Sequence, residues 1–475
     1  MFSLTPLPPG RKAIPTHWVF DLKRDAHGNI IRFKARLVVD GSRQIYGVDF
    51  SEVFSPTSHL TTVRLLLALA AANDLEIEML DVKTAFLHGD LEEDIYVSQP
   101  PGFPIGDPSM VCRLNKSLYG LRQAARTWHL RLKTVLEALG LGMMGSDRTL
   151  FTGWLAGGRV FVLVYVDDLM MVGSAVSIEA VKSGLSKHFQ LGTSLQDMFL
   201  GIAISRNRAV RTLTISQHRY ITDVLSKFDM LSSHPVATPM NLNWIPGTDS
   251  AGDVPFAEVV GSLLYLANAT RPDLSHVVGV LTRFMSAPTA GAWQLAKRAL
   301  RYLKGTTDLG IEYGRYPEGL VGYTDSDFAG ESVSCKSTSG VMFLYGGGAV
   351  AWSSKLQKVV ALSTAEAEYL AACAGARVWL VHVLNEMDCS SGEVPVGVDN
   401  NAALALVTQG VQTQRTKHIG VAYHMAREAH ASGELTFVAV DTHENCADFM
   451  TKALSREVFE KQRAAVGIDG VSPKM

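Results

Sequence analysis

The stretch Val160-Phe161-Val162-Leu163-Val164-Tyr165-Val166-Asp167-Asp168 is an apolar, largely β-branched run that ends in two carboxylates. Gly157 and Gly158 precede it, and Leu169-Met170-Met171-Val172-Gly173 follows it. The pattern predicts two antiparallel strands whose hairpin turn carries both acids. Carboxylate oxygens bind hard cations such as Mg²⁺, although Asp also favours turns for backbone reasons alone. The pair therefore needs partners before it predicts a metal site.

The first partner is Asp81, in Glu76-Ile77-Glu78-Met79-Leu80-Asp81-Val82-Lys83-Thr84-Ala85-Phe86. Because side chains alternate along a strand, Ile77, Met79 and Asp81 share one face, and an acid ends a face that is otherwise apolar. A solvated acid at the end of a strand is the alternative. Asp81 and Asp167 are 86 positions apart, which leaves room for a helical insertion between two neighbouring strands. Carboxylates from both strands would then clamp Mg²⁺ against a nucleotide triphosphate.

Three further segments lie in the first half of the chain, beside the one that holds Asp167 and Asp168. They are Arg32-Phe33-Lys34-Ala35-Arg36-Leu37-Val38, Phe54-Ser55-Pro56-Thr57 and Leu118-Tyr119-Gly120-Leu121-Arg122-Gln123-Ala124-Ala125-Arg126-Thr127-Trp128, and they accompany Tyr165-Val166-Asp167-Asp168 itself. Together with the Asp81 segment, they resemble the reverse transcriptase of copia-type LTR retrotransposons.

The resemblance continues downstream. The segments that carry it are Val260-Gly261-Ser262-Leu263-Leu264-Tyr265-Leu266, Arg301-Tyr302-Leu303-Lys304-Gly305-Thr306, Ser353-Ser354-Lys355, Glu366-Ala367-Glu368-Tyr369, Arg415-Thr416-Lys417-His418-Ile419 and Ala447-Asp448-Phe449-Met450-Thr451-Lys452-Ala453-Leu454. They are similar to the connection and ribonuclease H segments of the same family. The blocks follow the order of that family from about Lys12 to Leu454.

Composition bounds the class of protein. With 475 residues, 47% of them hydrophobic, the chain can bury several cores, and its length corresponds to roughly three domains. A net charge of −2 gives no overall basic surface, so contacts with nucleic acid must be local. Five cysteines without a CxxC pair argue against a disulfide framework or a zinc site. Because no apolar run approaches the length of a membrane span and no signal-peptide core begins the chain, we expect a soluble intracellular protein.

We expect an α/β fold in three domains. Residues 1–240 resemble the α+β fingers and palm of a polymerase. Residues 241–317 open with a loop and continue in apolar helical patterns, which predict a helical thumb or connection. Residues 318–475 resemble a ribonuclease H-like mixed sheet with helices. The whole resembles the C-terminal part of a Pol polyprotein.

The resemblance implies nucleotide contacts around the polymerase acids. Lys34 and Arg36 alternate on one strand face and are expected to touch the incoming triphosphate or the template phosphates, with a solvated basic face as the alternative. Phe86 is expected under the nucleotide sugar, where it would collide with a ribose 2′-hydroxyl; a core aromatic is the alternative. Further nucleotide or template contacts are expected just before a helix predicted at residues 123–139. They are Tyr119, Gly120 and Gln123.

Two other segments are expected to hold the primer. Phe199, Leu200 and Gly201 resemble the primer-gripping hairpin, whose glycine suits a close backbone approach. Residues 274–307 contain no acid, while Arg283 and a group of four further basic residues are present. In this group, Lys297, Arg301 and Lys304 recur at helical spacing on one face, with Arg298 beside them. We expect this group to grip the primer–template duplex, a solvated helix face being the alternative.

A second carboxylate set lies in the last domain. Asp325 and Asp399 end predicted strands, and Asp448 lies early in a helix; each alone could be a cap or a strand-end acid. Glu366 and Glu368 compete on the helix that Ser363 begins. Because Ser363-x-x-Glu366 is a capping box, we assign Glu366 to the helix start and Glu368 to metal. The resemblance implies that these acids hold two Mg²⁺ astride a scissile phosphate.

His418 and His443 are polar candidates for product release or substrate contact, although surface histidines are the alternative. The chain departs from the family pattern at several positions, none of them a metal ligand. They are Asp40, Ser42, Ala125, Ala365 and Gly420.

The resemblance predicts an RNA- and DNA-dependent DNA polymerase with ribonuclease H activity. The expected cofactor is Mg²⁺, two ions per active site, with Mn²⁺ as a substitute. Expected partners are RNA template, DNA primer, RNA–DNA hybrid and deoxynucleoside triphosphates, together with integrase and capsid of the same element, but no membrane. We expect a cytoplasmic location in a virus-like particle, with later nuclear access. The alternatives are a decayed or domesticated copy that only binds nucleic acid, and a ribonuclease H with an inactive polymerase.

Overall fold

A computed structural model gives the fold. It describes residues 1–24, 30–193, 197–315, 319–331, 334–376, 379–389, 392–409 and 425–470. The chain divides into two compact units: Met1–Ser58 with Glu78–Ser194, and His59–Ile77 with Leu195–Met475. We had expected boundaries near residues 240 and 317. The difference arises because residues 198–216 pair in one sheet with strands much further along the chain, so they belong to the second unit.

The strands are numbered in chain order. They are β1 (Phe2–Thr5), β2 (Thr16–Arg24), β3 (Ile30–Val39), β4 (Glu76–Val82), β5 (Tyr96–Val97), β6 (Val111–Leu114), β7 (Gly142–Met143), β8 (Leu150–Leu155), β9 (Gly158–Tyr165), β10 (Asp168–Gly173), β11 (Leu191–Thr193), β12 (Met198–Phe199), β13 (Ile202–Asn207), β14 (Thr212–Ser216), β15 (Leu309–Tyr313), β16 (Val321–Ser326), β17 (Thr338–Tyr345), β18 (Gly348–Leu356), β19 (Val394–Val398), β20 (Leu435–Ala439) and β21 (Ile468–Gly470).

The α-helices are numbered in the same way. They are α1 (Leu60–Ala72), α2 (Ala124–Ala138), α3 (Ala175–Ser186), α4 (His218–Lys227), α5 (Phe256–Ala269), α6 (Ser275–Thr282), α7 (Ala290–Lys304), α8 (Thr364–Gly375), α9 (Trp379–Glu386), α10 (Asn401–Thr408), α11 (Met425–Ala431) and α12 (Arg456–Ala465). Short 3₁₀ helices cover Gly41–Arg43, Ala85–His88, Pro272–Leu274 and Asp448–Met450.

The first unit is built around a six-stranded sheet in the order β11-β4-β10-β9-β8-β7. The β-branched run of β9 lies at its centre, and Val160 to Val164 are buried. Helix α2 packs its apolar stripe against this sheet through Trp128, Leu132 and Leu136, at helical spacing. The expected hairpin is present, because β9 and β10 pair antiparallel.

A second core in the first unit surrounds the small sheet β1-β6-β5. It gathers residues from that sheet, from Val39 at the end of β3 and from Leu118 and Leu121 before α2. The long hairpin β2-β3 carries Lys34 and Arg36 two positions apart on β3, as the alternation predicts.

The second unit contains an antiparallel sheet in the order β12-β13-β14-β15-β21. Helices α5, α6 and α7 contact one another, which matches the helical connection expected from the apolar periodicity. A buried ion pair between Arg271 and Asp273 lies beside them, and Tyr302 of α7 donates its hydroxyl to Asp273 at 2.5 Å.

The second sheet of this unit has the order β18-β17-β16-β19-β20. Strands β16, β17 and β18 form an antiparallel meander, whereas β16, β19 and β20 are parallel. Helix α8 packs on β16 and β17. A meander extended by parallel strands, with a helix after the meander, is the mixed sheet expected for a ribonuclease H-like domain, so that fold prediction is confirmed.

The expectation that no apolar run approaches the length of a membrane span was wrong. Taken together, Thr364–Glu386 is long and apolar enough to cross a membrane by length and composition. However, 81% of the most apolar 18 residues of this segment are buried within the protein, and the segment carries Glu366 and Glu368. A core helix covered by its own sheet explains the pattern, because the amphipathic contrast disappears when most faces are buried.

Candidate active sites

The turn that joins β9 to β10 carries the polymerase acids. Asp168 lies opposite Tyr165 in the ladder, so Val166 and Asp167 form the turn itself. Val166 adopts a left-handed backbone conformation with φ of 57°. For a β-branched residue this conformation costs on the order of 1–3 kcal/mol. The turn is therefore held by its surroundings, and the Val166 carbonyl oxygen accepts a 2.6 Å hydrogen bond from the indole Nε1 of Trp128.

Asp81 lies on β4, the neighbour of β10 in the sheet. The amide of Val82 donates a 2.9 Å hydrogen bond to the carbonyl oxygen of Asp167, which joins the two acid-bearing segments directly. On the other side of β4, Gly192 lies opposite Asp81, and a Cβ there would be 3.3 Å from Asp81 Oδ2. The glycine thus leaves room for the carboxylate.

Electrostatics couple the two acids. Burial raises the pKa of Asp167, and the negative charge of Asp81 raises it further, while Lys34 and Arg36 oppose the shift. Two carboxylates that destabilise each other's charge favour a bound divalent cation, and their hard oxygen donors suit Mg²⁺. Asp168 begins β10 and is half-buried. Asp167 lies in the turn and Asp168 at the first position of β10, so the two acids hold different places relative to Asp81.

The expected nucleotide contacts partly gather around this pair. The Phe86 and Tyr119 rings meet edge to face with centroids 5.0 Å apart, and the Arg36 guanidinium carbon lies 5.9 Å from the Tyr119 centroid. Burial raises the pKa of Tyr119, and the charge of Asp167 adds to it. Lys34, Arg36, Phe86 and Tyr119 are therefore neighbours of the acids, and their contact with nucleotide stays a prediction.

Gly120 and Gln123, the other two expected nucleotide contacts, have partners in the segment from Val39 to Asp49. Gly120 has φ of 91°, and a Cβ there would be 2.1 Å from the Val39 carbonyl oxygen, so its close approach is to β3. Gln123 is 2% exposed; its Nε2 donates to the Asp49 carbonyl at 2.8 Å, and its Oε1 accepts from Gln44 Nε2 at 3.0 Å. Gly120 thus serves the packing against β3, and Gln123 binds the segment after β3, contacts that a linear motif does not reveal.

The expected primer-gripping hairpin is the turn between β12 and β13. Leu200 and Gly201 both have positive φ, while Phe199 is buried. Tyr265 Oη donates a 2.9 Å hydrogen bond to the Leu200 carbonyl, and a Cβ at Gly201 would lie 2.7 Å from that same hydroxyl. A side chain at position 201 would therefore collide with Tyr265, which explains the glycine. The contact of this hairpin with the primer stays a prediction.

The expected basic group lies on α7, where all four side chains are half-buried. Two of them have partners in the segment before α5: Arg298 Nη2 donates to Thr238 Oγ1 at 2.9 Å, and Arg301 Nε donates to the His234 carbonyl at 2.7 Å. Lys297 Nζ lies 5.6 Å from the Trp293 ring centroid. The arginines therefore hold local structure, which leaves Lys297 and Lys304 as better candidates for phosphate contact.

The second carboxylate set forms a tight cluster. Asp325 lies near the end of β16, Glu368 on α8 and Asp399 directly after β19, and each offers an oxygen within 4.8 Å of the others. Within the part of the chain that the structure describes, no other three acidic, His or Cys side chains meet so closely. Because adjacent parallel strands β16 and β19 end at one edge, the sheet itself brings Asp325 and Asp399 together.

Burial disfavours the negatively charged forms of the three carboxyl groups in this cluster. It raises the pKa of Glu368 to about 9, with the charges of Asp325 and Asp399 contributing. Burial also raises the pKa of Asp325 to about 6 and raises the pKa of Asp399. Glu368 Oε1 accepts the Ser326 amide at 3.1 Å, while its buried Oε2 has no hydrogen-bond partner among the described residues. The donor set and this oxygen fit a divalent metal ion.

The competing acid Glu366 turns away. Ser363 Oγ accepts the Glu366 amide at 3.2 Å, and Glu366 Oε2 accepts the Leu362 amide at 2.8 Å, so the side chain folds back to the start of α8. This is the reciprocal arrangement of a capping box, shifted by one residue toward the N-terminus. The geometry supports the assignment of Glu368 to metal.

Asp448 lies in the 3₁₀ helix Asp448–Met450, and the final α-helix begins only at Arg456. Next to it, Lys452 is a residue that the motif did not single out. Its Nζ lies 3.0 Å from Asp448 Oδ1 and 3.8 Å from Asp325 Oδ2, and Thr451 Oγ1 donates to Asp325. The spacing of four residues from Asp448 was the available signal. His443 is exposed, whereas His418 and the segment Arg415–Ile419 lie outside the described residues.

Comparison with known proteins identifies the family of the chain. The profile of the reverse transcriptase (RNA-dependent DNA polymerase) family matches residues 1–242, just over half of the chain. The chain belongs to this reverse transcriptase family. The resemblance inferred from the motifs is thereby confirmed.

Two curated relatives match almost the whole length of this chain. It is 42% identical over 98% of its length to the retrovirus-related Pol polyprotein from transposon TNT 1-94 of Nicotiana tabacum. It is 38% identical, also over 98%, to that from transposon RE2 of Arabidopsis thaliana. The matches take up 36% and 33% of those proteins, so the chain spans about a third of their length.

Among solved structures, the chain resembles the foamy viral protease-reverse transcriptase in complex with dsDNA, with a TM-score of 0.52 and 12% identity. The match covers 92% of this chain and 79% of that one. At this identity the likeness concerns the fold, and it agrees with the expected mixed α/β architecture.

Proposed function

We propose that this chain is an RNA- and DNA-dependent DNA polymerase that also cleaves the RNA strand of RNA–DNA hybrids, and that it copies retrotransposon RNA into DNA. One observation carries the polymerase half. Asp81 and Asp167 are joined through the Val82–Asp167 hydrogen bond and are surrounded by Lys34, Arg36, Phe86 and Tyr119. Membership in the reverse transcriptase family supports the same function.

In the polymerase reaction, Asp81, Asp167 and Asp168 would hold Mg²⁺, which supplies electrostatic stabilisation to the attacking and leaving oxygens. The cationic side chains of Lys34 and Arg36 neutralise the triphosphate. The edge-to-face pair of Phe86 and Tyr119 limits the space at the sugar. The primer 3′-hydroxyl then attacks the α-phosphate, and diphosphate leaves.

In the hydrolytic reaction, Asp325, Glu368, Asp399 and Asp448 would hold Mg²⁺, and Mn²⁺ is expected to substitute. Glu368 is oriented by the Ser326 amide, which keeps Oε1 engaged and leaves Oε2 without a hydrogen-bond partner among the described residues. Lys452 stabilises the carboxylates of Asp325 and Asp448 before substrate arrives.

One observation favours a second candidate, a ribonuclease H with an inactive polymerase. Across the described ranges, the three acids that bring ligand atoms within 4.8 Å belong to the ribonuclease H-like part, and the palm acids do not reach that spacing. A decayed copy that only binds nucleic acid would lack both activities.

One experiment separates these candidates. The purified chain is incubated with Mg²⁺, primed homopolymer RNA and labelled deoxynucleotide, and extension and hybrid cleavage are measured in the same preparation. Asp167→Asn should abolish extension alone, and Asp325→Asn should abolish cleavage alone. Glu179→Gln, at an exposed acid on α3 that pairs with Lys182, is the matched charge control. Cleavage without extension in the wild type would select the second candidate.

The proposed partners are RNA template, DNA primer, hybrid duplex and deoxynucleotides, with integrase and capsid of the same element. The proposed location is a cytoplasmic virus-like particle with later nuclear access. Co-sedimentation of the chain with element RNA in cytoplasmic particles tests this location, and a purely nuclear signal would contradict it.

A further inference from the structure

The turn between β9 and β10 has an uncommon feature at Val166. Its left-handed conformation, with φ of 57°, is one that β-branched residues rarely adopt. Such a conformation persists only where neighbouring contacts determine it. The residue that follows is Asp167, so whatever holds Val166 also sets the position of a proposed metal ligand.

Two hydrogen bonds hold this turn from opposite sides. Trp128 Nε1 donates to the Val166 carbonyl at 2.6 Å, and the Val82 amide donates to the Asp167 carbonyl at 2.9 Å. The Val166 carbonyl belongs to the peptide group before Asp167, and the Asp167 carbonyl belongs to the peptide group after it. Because these two planar groups flank one Cα atom, holding both fixes the direction of the Asp167 Cα–Cβ bond, from which the carboxylate projects.

The donor is itself immobilised. Trp128 is 1% exposed and lies in the core between α2 and the sheet. Its ring meets Phe189 nearly perpendicularly, at 5.1 Å and 76°, and has His88 at 6.0 Å on another side. A buried indole N–H requires an acceptor. Here the acceptor is the strained turn rather than a carbonyl in regular structure.

We propose that Trp128 is a positioning residue for the polymerase reaction, which holds Asp167 in its metal-binding orientation through the Val166 carbonyl. This inference rests on the proposed polymerase function. Trp128 touches neither nucleotide nor metal. It acts only through the turn, and Val82 provides the matching restraint from the strand that carries Asp81.

The test removes the N–H donor of Trp128 and keeps an aromatic side chain at this position. Trp128→Phe is the simple variant; replacement of Trp128 by 3-benzothienylalanine, in which sulfur takes the place of N–H, keeps the indole shape and guards against a folding defect. Phe189→Leu is the matched control, because it loosens the same aromatic cluster without touching the hydrogen bond. Hybrid cleavage in each preparation provides the reference for folded protein.

Both N–H-deleted variants should extend primers roughly 5- to 10-fold more slowly, the range expected from one lost hydrogen bond. They should need more Mg²⁺ for half-maximal rate, with an unchanged KM for deoxynucleotide and unchanged hybrid cleavage. Phe189→Leu should melt earlier and keep the wild-type Mg²⁺ requirement.

A second readout needs no activity. In metal-free protein, hydrogen exchange of peptides covering residues 160–173 should be faster in both N–H-deleted variants and close to wild type in Phe189→Leu. Variants that match the active wild type in rate and Mg²⁺ requirement would overturn the inference, as would faster exchange without any kinetic effect. A wild type that cleaves hybrids but does not extend primers would instead refute the proposed polymerase function, and the exchange data would still show whether Trp128 holds the turn.

Discussion

The backbone amide of Ser326 donates a 3.1 Å hydrogen bond to Glu368 Oε1. This bond ties α8 to the end of β16, next to Asp325. It orients the buried carboxylate so that Oε2 is left without a hydrogen-bond partner within the described part of the chain. A buried polar oxygen without a hydrogen-bond partner is costly, and this oxygen therefore supports the proposal that Glu368 is a metal ligand.

This arrangement separates the two acids of α8. Glu368→Gln, like Asp325→Asn or Asp399→Asn, should abolish cleavage of RNA in a hybrid and leave primer extension intact. Glu366→Gln should cleave nearly normally and lose about 0.5–2 kcal/mol of stability, because only the cap is weakened. Gel assays of both variants side by side measure this. An inactive Glu366→Gln with an active Glu368→Gln would reverse the assignment.

The same carboxylates predict how stability depends on pH in metal-free protein. Burial, with Asp325 and Asp399, raises the pKa of Glu368 from 4.5 to about 9, so the folded state holds its proton more tightly than the unfolded state. The protonated Glu368 carboxyl therefore contributes to the free energy of unfolding below pH 4.5, and this contribution is lost as the pH rises toward 9. In EDTA, Tm should fall between pH 5 and pH 8 more steeply for wild type than for Glu368→Gln, and Mg²⁺ should raise Tm more at pH 8. If Tm changed with pH in the same way in wild type and in Glu368→Gln, the raised pKa of Glu368 would not be the cause of the pH dependence.

The palm acids should be indispensable for extension. Asp81→Asn or Asp167→Asn removes a proposed ligand of both metal ions, so the rate should fall on the order of 10³-fold or more. Single-turnover extension measures the loss, and hybrid cleavage in the same tube should be unchanged. Near wild-type extension by Asp167→Asn would show that the palm assignment is wrong.

Sugar selection should depend on Phe86. Its ring meets Tyr119 at 5.0 Å and is only half-buried, so it borders open space as well as core. Phe86→Val should admit a 2′-hydroxyl and raise ribonucleotide incorporation relative to deoxynucleotide, with a modest loss of total activity. Single-nucleotide kinetics with both sugars test this. Unchanged selectivity would return Phe86 to a packing role.

The lysines and arginines of α7 should behave differently. Lys304→Gln or Lys297→Gln should weaken primer–template binding and reduce the salt dependence of log K by about 1, because one phosphate contact is lost. Arg301→Gln, which loses the 2.7 Å bond to His234, should mainly lower Tm. Binding titrations at several salt concentrations distinguish the two. A salt slope that moves only with Arg301 would contradict this division.

The sequence alone determined which residues are proposed for the chemistry. Asp167 follows the apolar run of β9, Asp325 is the second-last residue of β16 and Asp399 directly follows β19, so each acid lies where an apolar strand pattern gives way to polar residues. The capping box at Ser363 separated Glu366 from Glu368, since a cap is a local interaction that four residues specify. These features depend on the near neighbours in the chain, so a linear pattern contains them.

Tertiary structure alone decided what surrounds those residues. Gly120 approaches β3, Gln123 bonds to Asp49, Gly201 makes room for Tyr265, and Trp128 reaches the Val166 carbonyl from 38 positions away. Each partner lies far along the chain, and nothing in the local pattern names it. Packing selects such contacts because every buried donor must find whichever acceptor the folded core brings near, and only the assembled sheet and helices determine which one that is.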